Sequence, residues 1–523
     1  MALVLRGTVV TFDREHRILD PGAVFVGDDG RLDAVQTNGQ AAPSGFADAP
    51  VVDLTGTDAL ILPGLIDLHN HVAYNTLPLW EAVGVPYLHH DRWVDEKHPP
   101  DYSTTVTWPH KVLGRAAPEA LLAYIGVKAL VGGTTSIQGA PRATRAIDGG
   151  PVRLVDTEKL PTGRDMVLTA ALQQDAEVLR NETAAKLDGT RVLIYHVAEG
   201  RRAEEPDPAH PVSVVHREFA DLDPCLRPGL VCVHGTALTP AEFTAWQRAV
   251  TAVDAAERGT VVWSPFSNHW LYHETTDVVA ADAAGLRIAL GSDWSPSGTK
   301  HVLGELKVAD GIDRHELGGH FGDRALCDMV TANPGDALAT AWGPQIGRLE
   351  TGSAADLLVL DRHAPGADAY RNLVDATERH VLLVVVRGRP RYGAQPLMTA
   401  AGATDTSAVA PAPGLRRRVA LDGADWPAVK RALEKVRQDP QAAWRDAQEG
   451  LAAWGGPLDD PDAPLALFGD MPEGEETALA GAEDLPPGVV VPPPDSLTHD
   501  AAFFAAVERS GIAALTRLKD FYP

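Results

Sequence analysis

The chain opens on short runs of strand character, "LVLRGTVVTFD" and "GAVFVGDDGRLDAVQ", the second turning at Asp-Asp-Gly between two β-rich stretches. Residues 1–58 therefore predict a small β unit. From 59 to about 330 the pattern changes to short apolar runs separated by amphipathic segments such as "PEALLAYIGVKALVGG" and "DAEVLRNETAAKL", the rhythm of βα units. The clearest runs are "ALILPGLIDL", "GGTTSIQG", "VRLVDTE", "RVLIYHV", "GLVCVHG", "GTVVWSP" and "LRIALGSD". Such a series predicts an α/β fold, a distorted (β/α)8 TIM barrel over 59–339, with one more strand to be placed in 72–112 or 158–190. Strand character returns in "IGRLETGSAADLLVLD" and "HVLLVVVRGRPRYG", so 340–398 is expected to join 1–58 in a small β-sandwich built from both chain ends. "AVAPAPG" at 408–414 reads as a linker, and 399–523 as a partly helical C-terminal extension with no assignable chemistry.

At 523 residues the chain exceeds one ordinary core, and 45% hydrophobic with 22% charged residues is globular rather than disordered. The formal net charge of -25 argues against nucleic-acid and anionic-membrane partners, which need clustered Lys and Arg. Cys225, Cys232 and Cys327 have neither disulfide-framework nor CxxC spacing and predict reduced thiols. Arg6 interrupts the first apolar run, which is too short for a signal-peptide core. A cytoplasmic protein taking a small-molecule substrate is the expectation, with a homodimer left open.

Within "ILPGLIDLHNHV" an apolar run delivers Asp67, His69 and His71 to one place. Buried polar groups without partners cost several kcal/mol, so something must satisfy them there. On a strand His69 and His71 share a face, and at a barrel's C-terminal end that face is the mouth. Two imidazoles aimed at one point make half a metal site. His196, His234 and Asp293 end later apolar runs in the same way. Asp67 shares the His69 face but lies deeper, where it would support the site rather than ligate. Glu199 falls three residues after His196, so the chain must turn at Val197 and Ala198, with Gly200 permitting it, to hang the carboxylate over the metal. A carboxylate there suits a proton shuttle.

"PGLIDLHNH", "HVAEG", the His-Gly after "VCV", "WSPFSN", "LGSDW" and "GSAADLLVLD" together resemble the amidohydrolase superfamily, in its mononuclear deaminase and chlorohydrolase-like branch, over residues 1–395. The resemblance implies one divalent metal, zinc first with iron or manganese as alternatives, held by His69, His71, His196 and Asp293. It also implies that a metal-activated hydroxide attacks an electrophilic carbon. Asp293 or Glu199 takes the water's proton, Glu199 passes one to the departing nitrogen, and His234 polarises the substrate or orients the hydroxide. The expected enzyme is a hydrolase of a C–N bond in an amide, amidine or amino-heterocycle. One alternative is a binuclear cyclic-amide hydrolase bridged by a carboxylated Lys159. A second is a non-catalytic barrel that binds metal or ligand.

The connection 73–114, rich in Trp, Tyr and His, follows the metal pair directly and is expected to wall the pocket. Trp80, Tyr87, Trp93, Tyr102 and Trp108 are candidates to stack on a planar substrate, and equally to be the packed core of that connection. Asn268 matches the family pattern. Beyond Asp293, Trp294 is a further wall candidate and Lys300 is placed to meet a substrate anion. The bulky "SDW" departs from the small residue usual there in nucleoside deaminases and speaks against a nucleoside.

Overall fold

In a computed structural model the chain is described for residues 2–81, 86–93, 102–147, 150–158, 167–170, 176–187, 191–202, 214–343, 345–364, 366–454, 460, 462–469 and 484–522. Strands from the two ends of the chain meet in one ten-stranded sheet: Leu3–Val10 pairs with Ile18–Val26, and Leu357–Leu360 lies antiparallel to Leu60–Pro63. A hairpin, Ser407–Ala412 with Leu415–Val419, extends this sheet where a linker was expected. The prolines misled: Ser407–Ala412 is the edge strand, where Pro411 costs no ladder bond, and Val409, Leu415 and Val419 are buried.

Eight parallel strands form two arcs. The first holds Leu65–Asp67, Thr134–Ile137 and Arg153–Leu154. The second holds Val167–Ala170, Val192–Val197, Leu230–His234, Thr260–Trp263 and Arg287–Leu290. Past the ends of the first and last of these strands, Asn70 and Asp293 form a parallel bridge that brings the arcs together. The arrangement is TIM-barrel-like. Val167–Ala170 lies in 158–190, one of the two intervals where a strand was still to be placed. Every residue of Val192–Val197 and Leu230–His234 is buried, as parallel strands covered on both faces require.

The opening run does not stay one strand. Leu60–Pro63 belongs to the ten-stranded sheet and Leu65–Asp67 to the first arc. Gly64 sits at the break because a Cβ there would fall 2.2 Å from Thr135 Cγ2. One buried apolar segment thus carries the chain from the sheet directly into the histidine pair. Cys225, Cys232 and Cys327 are unpaired and buried. Among the described residues no helix is long and apolar enough to cross a membrane.

Candidate metal centre and proton-handling site

Five side chains far apart in sequence converge beyond the strand ends. His69 Nε2 lies 3.1 Å and His71 Nε2 3.5 Å from Asp293 Oδ1, and His196 Nε2 lies 3.3 Å from His71 Nε2. His69, His196 and His234 each offer a nitrogen within 4.8 Å of the others, as do His69, His71 and Asp293 with their donor atoms. Two of these positions, and the turn after His196, are held by unusual backbone. Ala198, His234 and Asp293 adopt left-handed φ values of 52°, 64° and 60°, a region uncommon for non-glycine residues.

The arrangement fits a divalent cation. His69 Nε2 is buried and makes no hydrogen bond, although a carboxylate oxygen stands 3.1 Å away. An orphaned imidazole nitrogen beside a carboxylate is costly unless a cation lies between them. Asp293 is oriented for it: the Ser267 hydroxyl donates to Oδ2 at 2.6 Å, leaving Oδ1 toward His69 and His71. Burial, aided by the facing His71, lowers the pKa of His69 against the pull of Asp293, which favours the neutral imidazole that ligation needs. Burial alone would raise the Asp293 carboxyl, but the imidazoles of His69, His234 and His71 outweigh it and hold it well below the carboxylate range. The donors are nitrogen and oxygen without thiolate, a set that zinc, iron and manganese all accept. His71 is the open side, 15% exposed against 0% for His69.

Glu199 reaches the same point by a turn. Ala198 makes the turn, and its N–H donates to Glu218 Oε2 at 2.8 Å. Gly200 serves differently from expectation: it does not adopt positive φ, and it is needed because a Cβ would fall 2.5 Å from the Leu88 carbonyl of the connecting segment. The Tyr272 hydroxyl donates to Glu199 Oε1 at 2.7 Å, and His234 Nε2 lies 3.7 Å from that oxygen. Burial pushes the Glu199 carboxyl up to about 7. That value lets it both accept and return a proton near neutrality.

The tautomer of His234 follows from its neighbours. Thr275 accepts from Trp263 Nε1 at 2.7 Å, so its own proton is free for Asn268 Oδ1 at 3.4 Å. This turns the Asn268 amide NH2 to His234 Nδ1, 3.0 Å away. With Nδ1 accepting, the proton sits on Nε2 and faces Glu199. Asn268 is thus a partner of His234, not a surface of the pocket.

Asp67 lies behind the ligands, accepting from Ser292 N at 2.9 Å, Ser292 Oγ at 2.5 Å and Asn70 Nδ2 at 3.2 Å. It grips both segments that carry ligands. Trp294 stands edge-on to His71 at 6.0 Å between ring centroids and to Tyr74 at 5.0 Å, while Tyr74 stacks on His110 at 4.0 Å. Trp80 and Tyr87 stack on each other at 6.1 Å, both buried, and Tyr102 meets Trp80 at 5.5 Å. Trp108 instead meets Trp444, away from the histidines. Trp93 ends the short helix His90–Trp93, and Lys159 lies outside the described residues. Lys300 does not face a substrate: its ammonium is buried on Asp495, at 2.5 and 2.6 Å from the two carboxylate oxygens. That partner is 195 residues away and carries no local signal.

Four contributors escaped the sequence reading: Gln138, Ser267, Tyr272 and His90. Gln138 Oε1 lies 3.4 Å from His69 Nδ1, and His90 Nε2 lies 2.7 Å from Glu218 Oε1. Burial opposes it, yet Asp91 and Glu218 raise His90 to about 11, placing a cation behind the Glu199 turn. "LHHD" gives no clue that its second histidine pairs with Glu218.

Fold and donor set together describe a metal-binding protein of TIM-barrel-like architecture. The profile of the Amidohydrolase family matches residues 196–391. The chain is 26% identical over 407 residues to a 5-methylthioadenosine/S-adenosylhomocysteine deaminase of Syntrophobacter fumaroxidans, covering 69% of this chain and 85% of that protein. The same-named protein of Moorella thermoacetica is 28% identical over 412 residues, 71% of this chain and 90% of its own. Among solved structures, a zinc-bound adenosine deaminase from Xanthomonas campestris superposes with a TM-score of 0.58 at 20% identity, covering 85% of this chain and 98% of its own. A zinc complex of atrazine chlorohydrolase from Arthrobacter aurescens gives 0.55 at 18% identity, with coverages of 74% and 94%. These matches bear out the resemblance to the amidohydrolase superfamily, and the chain is an enzyme acting on carbon–nitrogen bonds other than peptide bonds. One divalent cation, zinc in these two neighbours, fits the site.

Proposed function

We propose that the protein is a mononuclear metal-dependent aminohydrolase that removes an amino group from a planar nitrogen heterocycle. The reading takes the two strand arcs as one distorted (β/α)8 barrel, the sheet from both chain ends as the small domain, and the residues after 399 as an extension. The observation that carries it is Glu199, a buried carboxyl tuned to about 7, held by Tyr272 beside the point where His69, His71, His196 and Asp293 converge.

His69, His71, His196 and Asp293 would hold the cation, which when bound would supply Lewis acidity and lower the pKa of water toward neutrality. Glu199 accepts a proton from water and returns it to the leaving nitrogen, as a group with a value near the working pH does best. His234, its proton kept on Nε2 by Asn268, donates toward the developing negative charge. Asp293 keeps Oδ1 toward His69 and His71 because Ser267 engages Oδ2. Trp294 and Tyr74, set edge-on to each other beside His71, offer apolar ring surface for a heterocycle. A second metal is disfavoured because His234 would have to give up that proton to ligate.

The relatives bear the name deaminase, and a further structural neighbour is a guanine deaminase from C. acetobutylicum with guanine bound in its active site. The test is ammonia release by zinc-loaded protein from 5-methylthioadenosine, S-adenosylhomocysteine, adenosine and guanine, with cyclic amides as the contrasting set. Turnover of amino-heterocycles alone is expected. Ring opening of cyclic amides with no ammonia release would replace this reading by the cyclic-amide one.

A further inference from the structure

The extension beyond 399, to which the sequence assigns no chemistry, reaches the underside of the metal site. Asp495 is buried, 8% exposed, and its carboxylate is shared by two buried lysines. Lys300 Nζ lies 2.5 and 2.6 Å from its oxygens, and Lys128 Nζ lies 2.6 Å from Oδ2. Lys300 stands on the loop that follows Asp293. Lys128, on the helix Pro118–Val131, also donates to Ser295 Oγ at 2.6 Å and to the Asn75 carbonyl at 2.9 Å. Asn75 completes the path: its Oδ1 accepts from Ser295 N at 3.0 Å, and its Nδ2 donates to Asn70 Oδ1 at 2.8 Å. Asn70 stands between His69 and His71. The Asp495 N–H itself donates to the Thr76 carbonyl at 2.8 Å.

One carboxylate therefore ties together the loop after the histidine pair and the loop after Asp293. Remove it, and two ammonium groups remain buried side by side with no bonded counter-charge, only the charge of Asp500 acting on Lys128 from farther off, an arrangement costly enough to push both loops apart. The segment is anchored just beyond this point. His499 Nδ1 donates to Glu378 Oε1 at 2.7 Å, His301 Nε2 lies 3.2 Å from the same oxygen, and His499 Nε2 accepts from Lys300 N at 3.2 Å. Both ring nitrogens of His499 are thus engaged, one by Glu378 and one by the Lys300 backbone, and they anchor the segment. The helix Ala501–Ser510 follows, with Phe503 packed 5.6 Å from Phe266.

We infer that Asp495 is a positioning residue for the metal centre: the C-terminal segment acts as a strap whose buried carboxylate sets the spacing of the His71 and Asp293 loops. The inference rests on the metal-centre reading above. It is tested by zinc affinity, measured by competition with a chelator, on full-length wild type, Asp495→Asn, Asp495→Glu and Asp500→Ala, together with the melting temperature of each metal-free protein. Asp500 caps Ala501–Ser510 through Phe503 N at 2.9 Å and is not bonded to either lysine, so its loss reports general loosening of the strap. Asp495→Asn is expected to bind zinc roughly 10- to 100-fold more weakly, as loss of outer support does at metal sites, with Asp495→Glu recovering part of it. Asp500→Ala should lower the melting temperature while zinc affinity stays within a few-fold. Unchanged affinity in Asp495→Asn, or an equal loss in Asp500→Ala, overturns the inference. Should Asp495→Asn not fold, Lys300→Met frees the Asp293 loop alone and must also weaken zinc; unchanged affinity there is equally fatal. Wild type that binds no zinc would refute the metal centre itself, a result distinct from all of these.

Discussion

The Asp293 N–H donates to the His69 carbonyl at 3.0 Å, so the last strand end locks onto the first at two of the residues proposed to hold the metal. His69 is then the ligand with least freedom, fully buried and fixed through its backbone. His69→Ala removes an imidazole that nothing nearby can replace. Metal analysis of the purified variant should find the site substantially empty, and a full equivalent of zinc would rule His69 out as a ligand.

The Glu199 carboxylate is held by the Tyr272 hydroxyl with His234 beside it, and it is not needed to hold His69 in place. Glu199→Gln should retain its metal while turnover falls roughly a hundredfold to ten-thousandfold, the span of general acid–base catalysis. Normal turnover would end the shuttle assignment.

The same residue has a signature in stability. Burial raises its carboxyl from 4.5 to about 7, so the folded protein holds this proton more tightly than the unfolded chain does. The group's contribution is therefore complete below about pH 4.5 and is lost as pH rises through that window to about 7. Glu199→Gln has no proton to lose. Metal-free variant should gain on metal-free wild type as pH rises, levelling off at up to about 3 kcal/mol above pH 7. Urea unfolding at both ends of the window checks this, and a difference independent of pH would contradict it.

Asn268 acts on the reaction through one proton. Asn268→Asp can only accept from His234 Nδ1, which moves the proton off Nε2. We expect kcat to fall by roughly a hundredfold with zinc stoichiometry unchanged and KM little altered. A second equivalent of zinc in this variant would show that His234 is a ligand once its proton is displaced. Wild-type kcat would mean the tautomer does not matter.

The convergence of the candidate metal ligands was legible because these residues break a rule: Asp and His stand at the ends of strongly apolar runs, where only a partner excuses them. Glu199 was legible through parity, since an odd offset from His196 demanded a turn, and Ala198 supplies it. Ser267, Tyr272 and Gln138 were not, because a hydroxyl or amide beside an apolar run is ordinary and its aim is set by tertiary packing. Val167–Ala170 was missed because four residues give too little periodicity to register. Lys300 was misread for a different reason: its partner Asp495 lies in a segment of Pro and Asp that resembles a solvated tail. Sequence patterns report burial well and pairing at long range poorly.

Ala198, His234 and Asp293 keep their left-handed backbone at a cost of order 1–3 kcal/mol each, borne by the rest of the molecule. Heat resistance and reactivity therefore pull in opposite directions here. Glycine at Ala198 would relax the chain and toughen the protein, and the released turn would let the Glu199 carboxyl wander from its mark. A thermostable relative designed without regard to these three angles would be a durable shell around a blunted tool.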